Sequence, residues 1–143
     1  DIRAQRLGFV LQSGGLLPFL SVRQNIELPR RMLGLPGKSE LVDEAISRLC
    51  LQPLLGKLPA QLSIGERQRV SFVRAIAHEP DLLLADEPTG NLDEHMRDEI
   101  LSALEALNAE GLTLVVVTHD SAVAKRARRR LRLEKGAVRD ITR

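Results

Sequence analysis

Two apolar runs separated by a segment of helical length constrain the fold of this chain more than any other feature. The first run is Leu82 to Ala85, and the second lies within Leu112 to Thr118. The residues from about Asp93 to Glu110 between them predict a helix. Unbroken apolar runs are typical of parallel strands covered on both faces, and a helix that joins two of them predicts a βαβ unit. The sequence therefore predicts an α/β fold.

The remainder of the chain divides around this unit. Leu7 to Leu11 predicts a short buried strand that ends at Gln12 and is broken by Ser13-Gly14-Gly15. Residues 22 to 60 have a helical pattern with Ser39 as the N-cap of one helix, and the pattern is broken by Pro29, Gly34-Leu35-Pro36-Gly37 and Pro53. We therefore predict an α/β core with a parallel sheet from residues 1–14 and 79–143, and an α-helical subdomain from residues 15–78.

Composition limits the function classes. A chain of 143 residues that is 43% hydrophobic can form a domain with its own core, and its single cysteine excludes a disulfide framework. No run approaches the roughly 18 residues of a membrane span, and no signal peptide opens the chain, so we expect a cytoplasmic domain. Three phenylalanines without Trp or Tyr offer little for stacking on bases. A basic cluster is predicted on a short helix that leads into a strand. It forms either a solvated face or a patch that binds nucleic acid or a lipid surface. Its members are Lys125, Arg126, Arg128, Arg129, Arg130 and Arg132.

The segment LSIGERQRV, Leu62 to Val70, predicts the start of a helix. Ser63 precedes Glu66 by three residues, which is the spacing of a capping box. A helix start exposes unpaired backbone N–H groups and the positive end of the helix dipole, so it can receive an anion. The hydroxyl of Ser63 and the backbone N–H of Gly65 can both donate to a phosphate. The alternative is that these residues only cap the helix. The two roles are compatible with each other.

Asp86 and Glu87 follow the first apolar run. Hydrolysis of a phosphoanhydride needs Mg²⁺ to neutralise charge and a group that orients or deprotonates water, and adjacent carboxylates at a strand end can divide these tasks. A surface acid pair that caps the next turn is the alternative.

The motifs together resemble those of ABC-type ATPases. LSIGERQRV resembles their signature motif, and LLLADEPTGNLD resembles their Walker B motif and D-loop. The resemblance covers nearly the whole chain. It implies a partial P-loop NTPase core with a helical subdomain, Asp86 as the magnesium ligand and Glu87 as the general base. Ser63, Gly65 and Glu66 would then face a γ-phosphate, although Ile64 and Glu66 depart from the commonest LSGGQ pattern, and Ile64 should avoid positive φ.

The resemblance extends to three other positions. Gln12 resembles the glutamine of the Q-loop, which links the nucleotide to the helical subdomain and the transporter, and its amide can bind a metal ion and a water. His119 follows a strand and resembles the switch histidine, with a catalytic role near the γ-phosphate. Asp93 resembles the D-loop aspartate, which faces the partner subunit, and it is equally suited to cap its own helix. His78 and His95 are given structural roles.

One motif expected from this resemblance is missing from the chain. Gly34 to Ser39, GLPGKS, looks like the end of a phosphate-binding loop, but G-x-x-x-x-G-K-[ST] requires glycine where Met32 stands. No apolar strand leads into this segment. We therefore expect the Walker A loop to be missing from this chain and the fragment alone to be inactive.

The resemblance implies the ATP-binding and hydrolysing subunit of an ABC transporter, with ATP and Mg²⁺ as cofactors. It implies a second ATP-binding subunit, most simply in a homodimer, and a transmembrane permease that holds the protein at the inner face of the membrane. The motifs most resemble the lipoprotein-release, macrolide-export and cell-division group. One alternative is the ATPase head of a DNA-repair or chromosome-maintenance protein, although no direct nucleic-acid binding is expected. The other is a non-catalytic regulatory fragment.

Overall fold

The computed structural model describes residues 5–12 and 14–142, so Ser13 and the first four residues of the predicted core lie outside the described residues. Two sheets are described: three parallel strands in the order β1-β2-β3, and a two-stranded antiparallel hairpin. The strands are β1 (Leu7–Val10), β2 (Leu82–Asp86), β3 (Thr113–Val117), β4 (Leu131–Glu134) and β5 (Ala137–Asp140). The helices are α1 (Val22–Met32), α2 (Glu40–Arg48), α3 (Ile64–Ile76), α4 (Glu94–Ala109) and α5 (Ser121–Ala124), with 3₁₀ turns at Gln52–Leu54 and Pro59–Gln61.

The predicted βαβ unit is present as β2, α4 and β3. Leu83 pairs with Leu114 in the parallel register, and α4 begins after its N-cap Asp93. Strand β1 lies on the other side of β2, with Val10 opposite Ala85. The carboxyl ends of all three strands therefore lie at one edge of the sheet.

The sheet is covered on one face only. Helices α3 and α4 contribute the core residues Phe72, Ile76 and Leu104, which cluster with Leu83 and Val10. On the opposite face the side chains are open to solvent, with exposures of 53% for Phe9, 46% for Val115 and 59% for Val117. The prediction of strands covered on both faces is therefore wrong for the described residues, because every helix packed on this sheet lies on the same side.

Helix α3 approaches β1 more closely than a side chain would allow. A Cβ atom added at Gly8 would lie 2.3 Å from the carbonyl oxygen of Ala75, so only glycine permits this contact. The apolar positions of α3 face the core, where Val70 and Val73 are fully buried.

Two local expectations are wrong. Pro29 does not interrupt its helix, because α1 continues to Met32; the proline removes one hydrogen bond of the ladder, and Leu33 closes the last turn on the Pro29 carbonyl at 3.2 Å. The short helix before β4 ends at Ala124, so Arg126 lies outside it, where its guanidinium pairs with Glu105 at 2.7 Å.

Candidate functional site

The edge formed by the carboxyl ends of the three parallel strands collects most of the predicted polar side chains. Gln12 follows β1, Asp86 ends β2, and His119 lies two residues after the end of β3. In the register of the sheet, Asp86 is opposite Val117. The fold therefore brings together Gln12, the acid pair and His119. In the sequence these residues lie up to about a hundred positions apart.

Glu87 has a left-handed backbone with φ of 46°. Its N–H donates to the carbonyl of Val117 at 2.8 Å, so the pairing with β3 continues for one residue beyond the end of β2. The carboxylate lies against Thr118 and His119, the residues that follow β3. A non-glycine residue at positive φ is uncommon, and such conformations are held by their surroundings at functional sites.

Three donors hold the Glu87 carboxylate. The backbone N–H of His119 donates to Oε1 at 2.7 Å, and Nδ1 of the same residue lies 2.6 Å from Oε1. The hydroxyl of Thr118 donates to Oε2 at 3.1 Å. Because a carboxylate has about four lone-pair positions, Oε2 keeps one acceptor position for a further donor such as water.

The pKa of Glu87 is lowered by this environment. Desolvation by burial acts in the opposite direction and raises the pKa. The hydrogen bonds from the backbone and imidazole of His119, and then from Thr118, outweigh it. Glu87 is therefore a carboxylate at neutral pH, in the state that a base requires.

The imidazole of His119 contacts the Glu87 carboxylate on one side and solvent on the other. An ionised carboxylate only accepts hydrogen bonds, so Nδ1 of His119 carries the hydrogen in this contact. The side chain is otherwise 88% exposed, which leaves the other face of the ring open at the edge of the sheet. The next residue, Asp120, forms an ion pair with Arg97 of α4 at 3.5 Å, so the loop after β3 also contacts that helix.

Asp86 and Gln12 offer oxygen atoms that suit Mg²⁺. Asp86 is exposed at the end of β2. The Gln12 amide lies over Gly90, where an added Cβ would meet its Nε2 at 3.0 Å. Among the described residues no cluster of three or more His, Cys, Asp or Glu could hold a metal alone. Mg²⁺ commonly takes one or two carboxylates and completes its shell with waters and phosphate oxygens of the substrate, so this donor set fits Mg²⁺ bound with a nucleotide.

The start of α3 has the predicted capping box. The Ser63 hydroxyl accepts from the backbone N–H of Glu66 at 3.1 Å, and the Glu66 carboxylate accepts from the N–H of Ser63 at 2.9 Å. The backbone hydrogen bond from Ser63 is the largest influence on Glu66 and lowers its pKa, so this residue brings a negative charge to the helix start. Ile64 is not among the described non-glycine residues with positive φ, as the sequence required.

The capping box of α3 is not joined to the acid pair. Within residues 5–12 and 14–142, no hydrogen bond links Ser63 or Glu66 to Asp86 or Glu87. An added Cβ at Gly65 would instead meet Leu92 at 3.6 Å and Met96 at 4.0 Å.

Asp93 caps α4. Its Oδ1 accepts from the backbone N–H of Met96 at 2.8 Å, so the capping role is present in this structure.

Comparison with known proteins identifies the family. A family profile described as ABC transporter matches residues 1–90, which is more than half of the chain. The chain belongs to the ABC transporter family. The same α/β fold occurs in a solved ABC cassette, the ATP-binding cassette MJ0796 in a dimeric post-hydrolysis state bound to ADP and Pi, with a TM-score of 0.88 and 36% identity over 99% of this chain and 64% of that one.

Two relatives of different lengths are similar to this chain over nearly all of its residues. The macrolide export ATP-binding/permease protein MacB of Rhodopseudomonas palustris (strain HaA2) is 43% identical over 96% of this chain. The uncharacterized ABC transporter ATP-binding protein YbbA of Escherichia coli (strain K12) is 46% identical over 97% of this chain. The chain spans 21% of the length of the first and 62% of the second. No helix within the described residues is long and apolar enough to cross a membrane.

Two residues of this ABC chain were missed by sequence reasoning. Thr118 binds the Glu87 carboxylate, and its position at the end of β3 beside His119 was the available signal. Gln68 donates to the Pro88 carbonyl at 2.7 Å, and no local pattern of the sequence indicates that contact.

The two other histidines have the predicted structural positions. Nε2 of His78 lies 2.7 Å from the carbonyl of Leu7, and His95 pairs with Glu99 at 3.1 Å on the surface of α4.

Proposed function

We propose that this chain supplies the hydrolytic base, a magnesium ligand and the signature helix of an ATP-hydrolysing subunit of an ABC transporter. The observation that carries the proposal is the Glu87 carboxylate, held ionised by three donors at the edge of a parallel sheet, beside the exposed carboxylate of Asp86. This arrangement separates the two acidic groups and gives them different surroundings. Family membership and the likeness to a cassette bound to ADP and Pi support ATP as the nucleotide.

In the proposed reaction, water attacks the γ-phosphorus of ATP, the bond to the ADP oxygen breaks, and ADP and phosphate leave. Glu87 accepts a hydrogen bond from the attacking water through the free position on Oε2 and takes its proton. Asp86 and Gln12 would hold Mg²⁺, which would neutralise phosphate charge. His119 keeps Glu87 in place and presents its exposed ring toward the γ-phosphate.

The proposed assembly is a dimer in which two chains share each nucleotide. The absence of a contact between the capping box of α3 and the acid pair supports this, because the two features can then serve different nucleotides. Ser63, Gly65 and Glu66 would face a γ-phosphate bound by the partner chain, with Asp93 near the dimer boundary. The dimeric state of the MJ0796 cassette is consistent with such an assembly.

We further propose that a permease holds the protein at the cytoplasmic face of a membrane. MacB is described as an ATP-binding/permease protein, which supports such a partner. Coupling would run from Gln12 through residues 13–31, at the junction between the proposed core (1–14 and 79–143) and the proposed helical subdomain (15–78). A DNA-maintenance role is not favoured, because the relatives are transporter proteins and Arg126 and Arg129 of the basic cluster form ion pairs within the chain.

Replacement of Glu87 tests the proposed function. In the full-length protein, Glu87→Gln should keep MgATP binding and lower the hydrolysis rate by about 100-fold or more, since general base catalysis contributes about 10²–10⁴. Calorimetry measures binding and phosphate release measures turnover. The exposed pair His95–Glu99 offers a control, because Glu99→Gln removes the same charge on the surface of α4. Turnover near the unsubstituted rate in Glu87→Gln would show that Glu87 is not the base.

A further inference from the structure

One face of α3 carries a row of polar side chains at a spacing of three residues: Gln68, Ser71 and Arg74. All three donate to main-chain carbonyls of loops at the edge of the sheet. The Ser71 hydroxyl and one Arg74 nitrogen donate to the carbonyl of Gly14, each at 2.9 Å, close to Gln12. Nε2 of Gln68 donates to the carbonyl of Pro88 at 2.7 Å, directly after Glu87. Helix α3 therefore holds both the loop after Gln12 and the turn after Glu87.

The contact made by Gln68 is buried and specific. Its side chain is only 6% exposed. Pro88 is also buried, and Gly90 closes the turn by donating its N–H to the Glu87 carbonyl at 3.1 Å. Without Gln68, the Pro88 carbonyl would lose this partner in a buried position, so the peptide would rotate toward another donor. Glu87 precedes that peptide at a positive φ, which must be held by its surroundings.

We propose that Gln68 is a positioning residue for hydrolysis, acting through the Pro88 carbonyl to hold Glu87 in its left-handed conformation. The inference rests on the proposed function of Glu87. Gln68 has no described contact with the Glu87 carboxylate, so its effect is on where that carboxylate points. The amide of Gln68 also ties the turn after the base to the helix whose first residues carry the signature motif.

Two variants at position 68 remove the donor while keeping the length of the side chain. Gln68→Met has no polar hydrogen, and Gln68→Glu places a carboxylate against the Pro88 carbonyl. In the full-length protein, each should lower kcat about tenfold, the rate equivalent of losing one hydrogen bond, and leave the KM for ATP unchanged. Gln52→Met is the matched control, because Gln52 is exposed in a 3₁₀ turn.

A double-mutant cycle with Glu87→Gln separates positioning from general stability. If Gln68 acts through Glu87, adding Gln68→Met to Glu87→Gln should leave the single-turnover rate unchanged within about twofold, because the base is already gone. A purely structural role would instead lower the rate by the same factor in both backgrounds. The rates are measured with equal amounts of nucleotide-bound protein, so a smaller folded fraction does not imitate the effect.

The outcomes are distinct. Two results would overturn the role of Gln68 and leave the proposed function standing. One is a kcat for Gln68→Met equal to that of the unsubstituted protein, and the other is additive losses of rate in the double-mutant cycle. A normal loss of turnover in Glu87→Gln together with a non-additive cycle supports both. Absence of ATP hydrolysis in the unsubstituted full-length protein would overturn the proposed function and, with it, this inference.

Discussion

At the scale of single residues, the conformation of Glu87 determines what the site can do. The sequence indicates that two acids follow a strand, but their directions depend on the backbone after β2. A φ of 46° at Glu87 sends its carboxylate to the loop after β3, whereas Asp86 remains at the strand end. Thr118 and His119 then supply donors that stabilise the charged form. The two neighbouring carboxylates therefore have different environments.

Thr118 gives a test of this arrangement through pH. The lowered pKa of Glu87 means that its base form is present above that pKa and is lost as the pH falls through it. Thr118→Val removes one stabilising donor without changing the shape of the side chain, so the pKa should rise and the acid limb of the kcat profile should move to higher pH. Phosphate-release rates of the full-length protein across the acid range measure this shift.

Thr118→Ser is the matched control for that measurement. Serine keeps the hydroxyl, so the acid limb should stay close to that of the unsubstituted protein. Identical profiles for valine and threonine would contradict the assigned role of the hydroxyl.

At the scale of elements, α3 does the most to organise the site. Its capping box fixes the first turn, its apolar face covers β1, and its close approach at Gly8 sets how near the helix lies to the sheet. The sequence predicts the start of this helix because the spacing of Ser63 and Glu66 is local. It does not predict which loops Gln68 and Ser71 would contact, since those partners are 20 and 57 residues away.

Ser63 can be tested for its two proposed roles, capping and phosphate binding. Ser63→Ala should lower the free energy of unfolding by about 1 kcal/mol, and Ser63→Gly by only a few tenths, because glycine is a tolerated N-cap. If the hydroxyl also donates to a phosphate, both variants should lose ATPase activity to the same extent despite their different stabilities. Urea unfolding and phosphate release give the two measurements.

Full activity in Ser63→Gly would instead assign Ser63 to capping alone. Equal stability of the alanine and glycine variants would contradict the capping contribution.

At the scale of the whole molecule, the described residues form a sheet with helices packed on one face and polar side chains along one edge. The core lies between the sheet and helices α3 and α4, while Phe9, Val115 and Val117 on the opposite face remain open to solvent. The hairpin β4–β5 is exposed along its whole length. No described hydrogen bond joins the capping box of α3 to the acid pair. This separation agrees with the proposal that each nucleotide site is shared between two chains.

The sequence predicts that the 143-residue chain binds MgATP poorly on its own. It contains no G-x-x-x-x-G-K-[ST] motif, whose backbone N–H groups cradle the phosphates, and Asp86 with Gln12 offers too few ligands for tight binding of the metal alone. Isothermal calorimetry should show a dissociation constant weaker than about 1 mM, which corresponds to about −4.1 kcal/mol. A micromolar constant would mean that another segment of the chain binds the phosphates.

The sequence by itself determined the features that depend on neighbouring residues. Apolar runs specified β2 and β3, Ser63 with Glu66 specified the start of α3, and Asp93 specified the cap of α4. It indicated the candidate residues Asp86, Glu87 and His119 by their position after strands. Only the tertiary structure decided that Thr118 and His119 bind Glu87, that Gln68 holds the next peptide, and that one face of the sheet is open. These features depend on contacts between distant segments, and local periodicity carries no information about which segments meet.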